Sequence, residues 1–115
     1  MARIRTIKPS FWGHDKVARL SRDERLLCLG LISMADDDGR FMASPTAVMG
    51  YVFPHDDLPP VKVRKWLDRL DSVGLIHLYD VGGLRYGALP GFKKHQVINR
   101  SNQSHLPEPP PETLL

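Results

Sequence analysis

Chemistry in this 115-residue chain would have to start from its carboxylates, its histidines or its lone cysteine. Asp36, Asp37 and Asp38 stand together ahead of Gly39, and His55-Asp56-Asp57 forms a second polar run. Both groups have donor types that suit a hard divalent cation, and clustered carboxylates can also serve acid–base catalysis. Their spacing argues against these uses. An EF-hand phase with its glycine at Gly39 places ligands at Met34, Asp36 and Asp38 and the closing glutamate at Pro45, so two of the four positions fail. His14, His55, His77, His95 and His105 are scattered, with no HxxxH, CxxC or HExxH pairing to suggest zinc. No glycine-rich loop is present to cradle a phosphate. Cys28 lies in the apolar run RLLCLGLISMA with no cation beside it, which fits a buried core thiol and not a nucleophile. The expectation is a protein that is not an enzyme, with no metal and no cofactor.

The basic residues are the alternative source of function. Net charge is +3, but it is segregated. Residues 1–25 hold seven Lys/Arg against three acids, and residues 58–105 hold eight against three. Between them, residues 36–57 hold one Arg against five Asp. Such segregation favours a polyanionic partner. One cysteine excludes an intrachain disulfide and fits a reducing compartment. No apolar stretch approaches the roughly 20 residues of a membrane helix, and the N-terminus lacks a signal-peptide core. A cytoplasmic protein with no membrane partner is expected.

The elements that must position these charges follow from pattern. Ser21-Arg22-Asp23-Glu24 is a capping box ahead of an apolar helix that would form the centre of the domain. Gly39 is expected to end that helix, with the three aspartates as its last turn. Carboxylates there oppose the helix dipole by ~0.3–1 kcal/mol each, so at least one should pair with a cation or cap a turn. Arg40 and the N-terminal arginines are the nearest candidates. Arg40–Ala43 predicts a short strand, and Ser44-Pro45 opens a second helix through about Val52. After the proline-punctuated FPHDDLPP, Val63, Trp66, Leu67, Leu70 and Val73 mark one face of a third helix, closed by Gly74. LIHLYDV and LRYGAL flank Gly82-Gly83 as a β-hairpin. The predicted class is α+β, mainly helical: a winged helix-turn-helix, with a three-helix core plus a β-hairpin wing. Residues 1–105 would form this domain with a basic C-terminal extension, and 106–115 a proline-rich disordered tail.

With that order in place, RIRTIKPSFW, ADDDGRF, VFPHDD, WLDRLDSVGLI and KHQVINR resemble the N-terminal winged-helix domain of actinobacterial phage and prophage replication-associated, replisome-organiser-like proteins. The resemblance spans about residues 2–105. It implies binding to double-stranded DNA, including origin DNA, and contact with replication proteins of phage or host in some members. Proteins of that kind often continue into a further C-terminal region. A transcriptional regulator or excision factor of the same fold, or a docking winged helix that binds no DNA, are the competing expectations.

In a helix-turn-helix the second helix enters the major groove. With its apolar face turned inward, Lys62, Lys65 and Arg69 share the opposite side and Arg64 lies adjacent. Arg64 and Arg69 are candidates for base contact, because arginine binds guanine bidentately. Lys62 and Lys65 are candidates for phosphate contact. The plainer reading is a solvated face whose cations pair with Asp68 and Asp71. Arg85, beside the hairpin turn, is a candidate for the minor groove or the phosphates. In FKKHQVINRSNQS, the cations Lys93, Lys94 and Arg100 stand among His95, Gln96, Asn99, Asn102 and Gln103, a composition suited to a nucleic-acid surface. Arg3, Arg5 and Lys8 could form a basic arm, although Ile4, Ile7, Phe11 and Trp12 predict that this segment packs on the core with its charges outside. Trp12 and Trp66 are expected in the core. Tyr79 and Tyr86 are the only aromatics with any claim to stack on bases.

Overall fold

The computed structural model describes residues 3–114, and all structural statements below refer to these. Helix α1 (Asp15–Ala18) follows a short 3-10 turn at Pro9–Phe11. The main elements are α2 (Arg22–Met34), β1 (Arg40–Met42), α3 (Pro45–Val52), α4 (Pro60–Ser72), β2 (His77–Val81) and β3 (Leu84–Ala88). Helix α5 (Phe92–His95) and a second 3-10 turn at Pro111–Leu114 complete the chain. The protein is a compact α+β fold with five α-helices and one three-stranded antiparallel sheet in the order β1-β3-β2.

Local chemistry sets these boundaries. Ser21 Oγ accepts from the Glu24 N–H, and Glu24 reaches back to the Ser21 N–H, so α2 opens on a complete capping box. Ser44 Oγ accepts from the Ala47 N–H, and Pro45 takes the first position of α3. At the far end of α4, Gly74 adopts φ +85°, and the N–H groups of Leu75 and Gly74 donate to the carbonyls of Leu70 and Asp71. That pair of bonds is a Schellman closure, and it turns the chain directly into β2. Gly82 and Gly83 both take positive φ, the two-residue type I′ turn that matches strand twist.

The core fills the space between α2, α3, α4 and the inner face of the sheet. Leu27, Leu31, Phe41, Val48, Val63, Leu67 and Leu70 are fully buried there. Phe41 pairs with Gly87 in the β1–β3 register, and its ring lies where a Gly87 side chain would stand. The bare glycine therefore admits the largest core side chain.

Three expectations fail at this level. Helix α2 stops at Met34, with Ala35 already extended, so Asp36–Asp38 lie in a turn beyond the helix and not in its last turn. Gly39, at φ +79°, closes that turn and does not cap the helix. Trp12 is 61% exposed, touching Phe11 edge-on, because it falls at the end of the 3-10 turn where the chain leaves the core. Ile4 is 97% exposed while the Arg5 side chain is 5% exposed, the reverse of the amphipathic sense expected for the N-terminal segment. The physical cause is the acidic turn, which draws Arg5 inward.

The segment after residue 105, expected as a disordered tail, lies against the sheet. The Tyr79 hydroxyl donates to the Pro107 carbonyl at 2.8 Å, and the Arg40 guanidinium donates to the Leu106 carbonyl at 3.1 Å. Proline narrows the unfolded alternatives of such a segment, which lowers the entropy lost on docking.

Candidate nucleic-acid interface

Helix α4 is seated by Val63, Leu67 and Leu70, all fully buried, with Trp66 half-buried against Phe53. That seating fixes which side chains face outward: Val61, Lys62, Arg64, Lys65, Asp68, Arg69, Asp71 and Ser72 are exposed. The eight sequence-derived candidates divide into three groups on this frame.

Lys62, Arg64 and Lys65 lie within the first two turns of α4, on its solvent side, and make no ion pair. Lys62 Nζ sits 5.7 Å from the centroid of the Trp66 ring, so its stem runs along the helix. The pairs Arg64–Asp68 and Lys65–Asp68, which the spacing allows, do not form. Asp68 is taken instead by Arg85 of β3, at 2.9 Å.

Arg69 and Arg85 are committed to structure. Arg69 donates to the Arg19 carbonyl at 3.2 Å and so ties α4 to the end of α1. Its side chain is exposed along the same helix as Arg64. Arg85 extends from the inner side of the sheet to Asp68 and braces the hairpin against α4, and it does not reach out from the turn. The tip itself is Gly82-Gly83 with Leu84 half-exposed.

Lys93, Lys94 and Arg100 belong to the other end of the sheet, where β1 begins and β3 ends. Lys93 Nζ is 2.8 Å from Asp38 and is neutralised there. Lys94 is exposed on α5, and Arg100 is exposed at φ +56°. The sequence places these three with the α4 cations in one basic stretch, but in the fold they belong to α5 and the segment after it and not to α4.

The acidic turn is a structural hub. Asp36 Oδ1 accepts from the N–H groups of Asp38 and Arg40, both at 3.0 Å, which fulfils the expected turn cap. Asp37, nearly enclosed, lies 3.0 Å from Arg5 and 3.4 Å from Arg3, which fulfils the expected pairing with N-terminal arginines. It also accepts from the Asn102 N–H at 2.8 Å, and Asp38 accepts from the Ser104 N–H at 3.0 Å. The Asn102 amide, with the two arginines, holds the Asp37 carboxyl below its ordinary range against the opposing effect of burial. Lys93 and the Ser104 amide do the same for Asp38. Much of the polar FKKHQVINRSNQS segment is thereby used to close the fold: Gln96 pairs with Thr6, and the Asn99 and Arg100 carbonyls accept from Arg3. Arg5 also packs over the Phe92 ring at 5.0 Å.

Burial pushes the Cys28 thiol up to about 11, so its thiolate is scarce at neutral pH. No group of three or more His, Cys, Asp or Glu side chains is placed to hold a metal ion among the described residues. No helix there is long and apolar enough to cross a membrane. Tyr79 and Tyr86, the expected base-stacking candidates, are buried, at 3% and 9% exposure.

The fold and its basic helix define a small α+β domain with an exposed cationic helix face. Comparison with known proteins finds no matching family model, no matching curated protein and no matching solved structure.

Proposed function

We propose that the chain is a winged-helix domain that binds double-stranded DNA through the first two turns of α4. The observation that carries this reading is the placement of Lys62, Arg64 and Lys65 on the solvent face of a helix whose opposite face is locked into the core. The element order α2-β1-α3-α4-β2-β3, with β1 joining the hairpin at β3, supports the winged-helix assignment. In this reading Arg64 reads a base edge, Lys62 and Lys65 hold phosphates, and Val61 adds apolar contact at the groove wall. The Arg85–Asp68 bridge sets the wing angle and neutralises a carboxylate that would otherwise repel the backbone. Phage DNA replication, by initiation or replisome organisation, is the process proposed, on the sequence resemblance described above. A regulator or excision factor would use the same helix.

The test is duplex binding across a salt series, with fragments selected from the parent genome. Log affinity should fall linearly with log salt, because phosphate contacts release counterions. Arg64→Ala should cost about 1–3 kcal/mol and relax sequence preference, whereas Lys65→Ala should lower the salt slope by about one. A folded Arg64→Glu/Lys65→Glu protein that binds duplex DNA as before would sink the assignment of α4. Selected fragments that cluster at an origin support the replication role, and fragments at promoters or attachment sites redirect it.

A further inference from the structure

The sheet has a second, outward face, and its residues follow from register. Arg40, Met42, His77, Tyr79, Tyr86 and Ala88 pair across β1, β3 and β2 on the side opposite Phe41 and Gly87. On this face His77, Tyr79 and Tyr86 form a stacked row, with centroids 5.8 Å and 5.9 Å apart. Tyr79 and Tyr86 are buried yet stand outside the main core cluster, so something other than the core covers them. The segment LPEPPPET, residues 106–113, is bonded to this face at Arg40, His77 and Tyr79.

Its mode of attachment is specific. Two side chains from the sheet donate to consecutive backbone carbonyls, Arg40 to Leu106 and Tyr79 to Pro107. His77 Nε2 meets Thr113 Oγ1 at 2.9 Å, and Thr113 in turn bonds the Pro110 carbonyl. Pro107, Pro109 and Pro110 are half-buried, while Glu108 points outward and lies 3.6 Å from Arg40. Proline segments have carbonyls without competing N–H partners and a preformed extended shape, and aromatic grooves with phenol donors recognise both features.

We propose that this aromatic face is a binding groove for an extended proline-rich peptide carrying an acidic residue. The chain fills it with its own residues 106–113, and a partner segment of the same chemistry competes for it. Arg40 reads the acidic residue and the first carbonyl, Tyr79 reads the second, and the ring row takes the prolines. The groove is on the outer face of the sheet and is independent of the α4 surface.

The test uses the full chain with Pro107, Pro109 and Pro110 replaced by glycine, which weakens the internal ligand without removing it. The probe is a labelled synthetic peptide LPEPPPETLL, followed by fluorescence anisotropy, with a control peptide whose prolines are alanines. The substituted chain should bind the proline peptide, and the wild-type chain should bind it roughly tenfold or more weakly because its own segment competes at high effective concentration. Adding Tyr79→Phe should reduce binding several-fold by removing the phenol donor. Equal binding of both peptides, or none to a substituted chain that still unfolds cooperatively, overturns the proposal. If the substituted chain does not fold, isotope-labelled wild-type protein is titrated with unlabelled peptide and its own signals from residues 106–113 are followed by NMR. Displaced signals support the groove, and signals unmoved at saturating excess reject it.

Discussion

Replacing Asp37 by alanine leaves the Arg5 guanidinium buried without its carboxylate, beside an Nε atom that already has no partner. Breaking a buried pair from one side costs roughly 3–5 kcal/mol, far above the value of an exposed pair. Urea unfolding of Asp37→Ala should show a loss of that size, and a loss under about 1 kcal/mol would mean that Arg3 and water replace the contact. The need for a cation at this turn is legible in ADDDGRF alone, since three adjacent carboxylates repel one another. The identity of the cations is not legible. Arg5 stands 30 positions or more before the turn and Lys93 more than 50 after it, so only the closed fold brings them together. The same limit explains Arg69 and Arg85. Helical spacing places Arg69 and the hairpin register places Arg85, but the partners that occupy them, the Arg19 carbonyl and Asp68, come from other elements.

At the scale of elements, periodicity and end signals locate α2, α3, α4 and the hairpin. Four-residue helices such as α1 and α5 complete barely one turn and carry no period to detect. The end of α2 is misplaced from sequence because Asp, Asp and Asp are poor but tolerated helix formers, and Gly39 looks like a cap. What stops the helix at Met34 is the turn itself, whose Asp36 N–H and Gly39 N–H bond to Arg40 and Asp36 carbonyls. Gly74 is the opposite case, since its cap role is legible and its geometry bears it out. A Cβ there meets only the flexible Lys16 ammonium, so Gly74→Ala should cost about 1–2 kcal/mol from the left-handed backbone alone. Gly87→Ala has an ordinary backbone but collides with the Phe41 ring, and should cost at least as much through displaced core packing. Thermal unfolding of the Gly87→Ala/Phe41→Leu pair separates the two causes. Recovery relative to Gly87→Ala alone marks the ring as the obstacle.

For the whole molecule, the acidic turn is where the N-terminal arm, the start of β1 and residues 102–104 meet, so its ionisation sets whether the chain ends stay docked. Asp37 and Asp38 both have folded values below the ordinary 3.8. A depressed carboxylate binds its proton less readily folded than unfolded, so the contribution to stability is complete above the unfolded value. It is lost as pH falls from about 4 through the lowered folded values. Tyr79 acts at the other extreme. Burial raises its phenol above the ordinary 10.0, so its contribution is complete below that pH and is lost as pH rises past it. The two ends of the pH scale should therefore release different parts of the chain. Acid should expose the Asn102 and Ser104 amides to hydrogen exchange, while alkali should free residues 106–113 from the sheet with the turn still closed. Asp37→Asn and Asp38→Asn should flatten the acid limb, whereas Tyr79→Phe should flatten the alkaline limb and leave the acid limb unchanged. If both limbs moved together in either variant, the turn and the aromatic groove would be one cooperative unit, and peptide displacement from the groove would then also open the N-terminal arm.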